Sequence, residues 1–215
     1  MRINTTRTNT LRHAYRWRSL LDIALHPLLM PTYVVITFFH HLFPYTVHNR
    51  NTMLLITLYF VATCLAPLMI SFSAIVRSKH YDMWRPKSRE SSIIVILITL
   101  VFYATSLLFY RSFYFLSFMS APVIIGMALI MIRLFTISRT SIDMHMAALS
   151  AALTYIYCLS FQLATTLSTS SYMLLALGGL LAYSSIETRQ ATPRSLLYGL
   201  LAGFATSLTC FIIFK

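Results

Sequence analysis

Carboxylates are nearly missing from this chain. Asp22, Asp82, Glu90, Asp143 and Glu187 are the only acidic residues among 215. Cysteine is as scarce: Cys64, Cys158 and Cys210 lie far apart inside apolar stretches, match no metal-ligand spacing and imply no disulfide framework. Charged residues of either sign make up 10% of the chain against 58% hydrophobic, with a mean hydropathy of +0.72. That balance excludes an ordinary soluble domain. The alternation of apolar and polar positions that a membrane β-barrel needs is absent as well. No internal repeat is visible, so an inverted-repeat transporter has no support. Nothing in the sequence calls for a metal or a cofactor.

What the chain does have is seven long apolar stretches, at about 20–43, 52–76, 91–110, 112–135, 144–167, 170–186 and 195–214. A helix needs roughly 20 mostly apolar residues to cross ~30 Å of hydrocarbon, and most of these stretches meet that length. Backbone polar groups in hydrocarbon must be paired within the segment, so stretches of this kind should be helices. The expectation is an all-α, polytopic membrane bundle of about seven (six to seven) helices, with residues 1–19 as a basic tail and 20–215 as a single transmembrane domain. Asp22, His26, Pro27 and Pro31 in the first stretch, and the lack of a small-residue cleavage site, favour a retained span over a signal peptide. Pro27, Pro31, Pro67 and Pro122 should each kink or break its helix. Ala176, Gly178, Gly179 and Ala182, with Gly199 and Gly203, suggest close packing between helices of the same chain.

Fourteen of the 17 basic residues fall in alternate gaps. Arg2, Arg7, Arg12, Arg16 and Arg18 precede the first stretch; Arg77, Lys79, Arg85, Lys87 and Arg89 lie between the second and third. Arg133 and Arg139 flank the next gap on that side, Arg189 and Arg194 the last, leaving Arg50, Arg111 and Lys215 opposite. The positive-inside rule then puts the N-terminus in the cytoplasm of a multi-pass cell-membrane protein and the C-terminus on the other side. This distribution accounts for the net charge of +12 without nucleic acid. The expected partners are membrane lipids, anionic or phosphorylated, with a membrane-protein partner as a further option.

Three polar segments should emerge on the crowded side. The first runs from Arg77 to Glu90 through Lys79, Arg85 and Arg89; the second holds Arg139, Asp143 and His145; the third spans Ser184 to Ser195 with Arg189. Guanidinium and ammonium groups suit a phosphate, so Lys79, Arg85, Arg89, Arg139 and Arg189 are the candidate phosphate ligands. His145 opens an apolar helix two residues after a carboxylate, and a titratable side chain at that depth is a functional candidate.

The order of these segments resembles the type 2 phosphatidic acid phosphatase superfamily, whose motifs are K-x6-RP, PSGH and SR-x5-H-x3-D. Lys79 to Arg85-Pro86 is similar to the first with five intervening residues, and the second is matched at His145 alone. Thr192-Pro193 and the following Leu-Leu-Tyr-Gly199-Leu-Leu-Ala-Gly203 resemble the helix after the third. Placed by that helix, the motif's Arg falls on Ser185, its His on Ala191 and its Asp on Ser195. His26-Pro-Leu-Leu-Met-Pro31-Thr-Tyr33 and His145-Met146 also look like a compact bacterial branch. The resemblance implies Lys79 and Arg85 as phosphate ligands and His145 as general acid, with no counterpart of the nucleophilic histidine. The expected function is therefore a catalytically degenerate, phosphatase-like membrane protein that binds phosphorylated lipid headgroups or a membrane partner. The alternatives are an active lipid-phosphate phosphatase with an altered site and a structural subunit of a membrane complex.

Overall fold

The computed structural model describes residues 20–42, 50–77, 89–112, 119–136, 142–162, 169–188 and 191–213. Each of the seven expected stretches contains helix over its described residues, and the described residues contain no strand. Five of the helical segments are long and apolar enough to cross a membrane. The tail of residues 1–19 lies outside the described residues.

The first segment is broken. Residues 20–24 are helical; the chain then turns at Leu25, is extended at His26 (φ −60°, ψ 135°) and winds a 3-10 turn, Pro27–Leu29, before helix α1, Met30–Leu42. The cause is Pro27, whose ring excludes the helical conformation at the residue before it. A broken helix frees backbone groups that hydrocarbon cannot solvate. Here the Tyr33 hydroxyl donates to the Ala24 carbonyl (2.8 Å), and the Leu28 N–H donates to Nδ1 of His26 (3.3 Å). Pro31 falls in the first turn of α1, where a missing N–H costs nothing, and causes no second break.

The second segment is helix α2, Arg50–Phe60, a π turn, Val61–Leu65, and helix α3, Ala66–Arg77. Pro67 has no N–H to continue an α ladder, and the turn before it widens, with the Ala66 N–H donating to the Val61 carbonyl five residues back. Helix α4 is Arg89–Ser112 and helix α5 is Ser120–Thr136. The fourth stretch was expected to be helical from 112 and to kink at Pro122. Residues 113–118 lie outside the described residues; the described helix starts at Ser120, so Pro122 falls in its first turn and breaks nothing. Helices α6, Met144–Gln162, α7, Thr169–Glu187, and α8, Pro193–Ile213, complete the bundle.

Packing divides into two clusters. One joins Leu28, Val35 and Phe39 to Tyr59, Cys64, Tyr103, Tyr110 and Val123, linking α1 to α5. The other gathers residues of α1 and α5 to α8 around the alanine-rich face of α6, Ala147 to Ala152. Large apolar side chains also point outward on every helix, among them Leu108 at 69% exposure, Phe135 at 72% and Phe161 at 82%. So much outward apolar surface is a liability in water and none in lipid.

Candidate functional site

The tightest contact in the bundle runs between α6 and α8, and glycine makes it. A Cβ on Gly203 would strike the carbonyl of Ala147 and the N of Ala151; one on Gly199 would strike the Asp143 carbonyl and the Cβ of Met146. The Ser150 hydroxyl donates across the seam to the Leu200 carbonyl (2.8 Å). At the mouth of the seam the Asp143 N–H donates to the Ser195 carbonyl (3.2 Å). The second and third polar segments therefore meet. The small-residue stripe of α7 divides instead: Gly178 packs on Leu149, while Gly179 faces open space.

At this junction the polar side chains are occupied in ending and starting helices. Asp143 caps α6, its Oδ1 accepting the Met146 N–H (3.0 Å). Thr192 caps α8, its Oγ1 accepting the Ser195 N–H (3.2 Å), while Ser195 Oγ accepts the Thr192 N–H (3.1 Å). That exchange is a reciprocal capping box. Ser185 is buried, its hydroxyl donating to the Leu181 carbonyl (2.7 Å), and its own carbonyl accepts the Ala191 N–H (3.3 Å). The three positions that the resemblance aligns with an arginine, a histidine and an aspartate thus hold a hydroxyl, a methyl and a hydroxyl, and both hydroxyls serve local backbone. No histidine stands at any of the three.

Of the candidate phosphate ligands, Lys79, Arg85, Arg139 and Arg189 lie outside the described residues. Arg89 opens α4, but its side chain lies outside them too. His145 is described, half-buried in the first turn of α6. Beside it stands a residue that the sequence placed in the resemblance but not among the candidate site residues: the ring of His26, on the broken segment, meets that of His145 edge to face, with centroids 5.9 Å apart. The signal was available, since a histidine inside an apolar stretch is a candidate by itself. What hid it was the 119-residue separation from His145, which only packing closes.

A cleft of about 50 Å³ runs between α1, α4, α5 and α6. Pro27 and Met144, the sequence neighbours of His26 and His145, line it, and it continues past Ala148, Ala151 and Ala152 to Tyr155. Its other wall includes Pro122, Gly126 and Tyr103; a Cβ on Gly126 would collide with the Tyr103 ring. Among the described residues no group of three or more histidine, cysteine or carboxylate side chains is placed to hold a metal ion. Compared with family models, with curated proteins and with solved structures, the chain matches none.

Proposed function

We propose that this protein is a multi-pass protein of the bacterial cell membrane that binds phosphorylated lipid headgroups without hydrolysing them. It would do so on a degenerate version of the frame that lipid-phosphate phosphatases use. The observation that carries this reading is the junction of Asp143 with Ser195. Two segments that bear the resemblance come together, yet the position for the attacking histidine is Ala191 and the neighbouring hydroxyls are bonded to local backbone, Ser185 to the Leu181 carbonyl and Ser195 in the cap of α8. Without a covalent nucleophile most of the rate advantage of such chemistry is lost. The basic residues between the helices supply the attraction for the phosphate, in addition to orienting the chain with its N-terminus in the cytoplasm.

The purified protein should release no phosphate from phosphatidic acid or an isoprenyl diphosphate beyond the background of a His145→Ala variant. It should retain phosphorylated lipid through purification, and Lys79→Ala and Arg85→Ala should each reduce that retention. Release that His145→Ala abolishes would make the protein an enzyme. Retention unchanged in both basic variants would reduce those charges to topology signals.

A further inference from the structure

The geometry points to the cleft as a binding site for a long-chain aliphatic carbonyl compound, held through its neutral oxygen by the hydroxyls of Tyr103 and Tyr155. This site is separate from the proposed binding of phosphorylated headgroups and does not depend on it.

The two tyrosines set the chemistry. Both line the cleft and both are buried, Tyr103 at 1% exposure and Tyr155 at 6%. Elsewhere in the bundle such hydroxyls are spent on backbone: Tyr33 donates to the Ala24 carbonyl (2.8 Å) and Tyr59 to the Met119 carbonyl (3.3 Å). Among the described residues the hydroxyls of Tyr103 and Tyr155 have no hydrogen-bond partner. Bulk water does not serve them either. Tyr103 lies ten residues from one end of its span, Ile93–Arg111, and eight from the other, and Tyr155 lies eleven and seven from the ends of Met144–Gln162. At ~1.5 Å of rise per residue, both are ~10 Å or more from either end of their helices. A phenolic O–H left unbonded at that depth is costly, so the cleft favours an occupant that brings an acceptor.

The walls restrict the occupant further. Apart from the two phenols they consist of Pro, Leu, Met, Val, Ile, Gly and Ala, with no charged side chain. An ion would be buried here without a counter-charge, so the ligand is neutral. The volume of about 50 Å³ is far below the ~150 Å³ of an apolar cavity that takes one benzene ring. That excludes a ring and admits an oxygen with the few carbons next to it. The remainder of a chain must leave the cleft. Pro27, Gly126, Ile130 and Met144 are the wall residues that are not fully buried, and a tail can pass them into the surrounding lipid. Water alone would suit the hydroxyls but not the walls, and an alkane would suit the walls but not the hydroxyls. A carbonyl on an aliphatic chain suits both.

Thermal unfolding of the full-length protein in detergent, with each ligand at equal mole fraction in the micelle, reads binding as a rise in Tm. A long-chain methyl ketone should raise Tm, the alkane of equal length should raise it less, and the fatty-acid anion of equal length should leave it unchanged. Tyr103→Phe and Tyr155→Phe each remove a hydroxyl that bonds nothing among the described residues, so both should melt like wild type without ligand. Each should bind the ketone about fivefold more weakly, the loss of one hydrogen bond, and the alkane as before. Tyr59→Phe is the control, because its hydroxyl is already engaged and its ketone response should be intact. Equal responses to ketone and alkane, or a wild-type ketone response in both cleft variants, would overturn the site. A ketone response lost as fully in Tyr59→Phe would overturn the role of the two cleft hydroxyls. No response of the wild type to the ketone would leave the cleft to water and overturn the proposal. Retention of phosphorylated lipid, measured on the same samples, stands or falls separately.

Discussion

Replacing Gly203 with alanine tests the α6–α8 seam on which the candidate site is built. The added Cβ meets the Ala147 carbonyl and the Ala151 N, which are backbone atoms within a helix and cannot swing aside as a side-chain tip would. Overpacking of a tight interior costs about 1–3 kcal/mol, and a backbone neighbour places this case at the upper end. Alanine returns about 1 kcal/mol through its better helix propensity. The net is a loss of about 2 kcal/mol, or ~4–8 °C in Tm for a chain of this size. Gly179→Ala is the control, because a Cβ there meets nothing within 4 Å. It should gain up to about 1 kcal/mol and melt higher. Thermal unfolding of both variants in the same detergent therefore yields shifts of opposite sign. Equal shifts, or a Gly203→Ala variant as stable as wild type, would refute the close approach of α6 and α8.

Gly199→Ala pushes on the Asp143 carbonyl at the same seam, so it should lower phosphorylated-lipid binding as well as stability, whereas Gly203→Ala, a turn further from the site, should lower stability more than binding; lipid retention per folded molecule separates the two. Asp143→Ala removes the cap of α6 and should cost about 1 kcal/mol, with Asp143→Asn close to wild type, both read from thermal melts. Thr192→Ala should cost a similar amount and Thr192→Ser little, because the capping box needs only the hydroxyl. Tyr59→Phe removes the bond from the Tyr59 hydroxyl to the Met119 carbonyl (3.3 Å) and should cost only ~0.6 kcal/mol, the usual value between membrane helices. A loss as large as that of Gly203→Ala would mean that polar contacts, rather than backbone approach, dominate the bundle.

Much of the architecture could be read from the chain because the bilayer imposes few options. Hydrocarbon forces backbone pairing, so apolar length sufficed to locate the seven helical segments among the described residues, and the spacing of Gly199 and Gly203 marked a close helix contact, though not its partner. The effect of the prolines was less legible. Pro27 and Pro67 distort the chain as their chemistry suggests, whereas Pro31 and Pro122 fall in first turns, where the missing N–H has no consequence. A proline's effect depends on where its helix begins, and the boundary at Ser120 is not written in the hydropathy. The candidate site divided in the same way. His145 stood out through its position at a helix start, but His26 did not, because its partner lies on a helix far along the chain.

By itself, the sequence determined the class of protein, the number of helical segments and the alternation of basic gaps. Each of these follows from local composition acting against a solvent without hydrogen-bonding capacity. Only the tertiary structure decided that the Asp143 and Ser195 segments meet, that the surviving hydroxyls are spent on local backbone, and that two distant histidine rings meet edge to face. Those contacts depend on how closely helix backbones approach and on where a broken helix resumes, and neither distance is encoded in any single stretch of the chain.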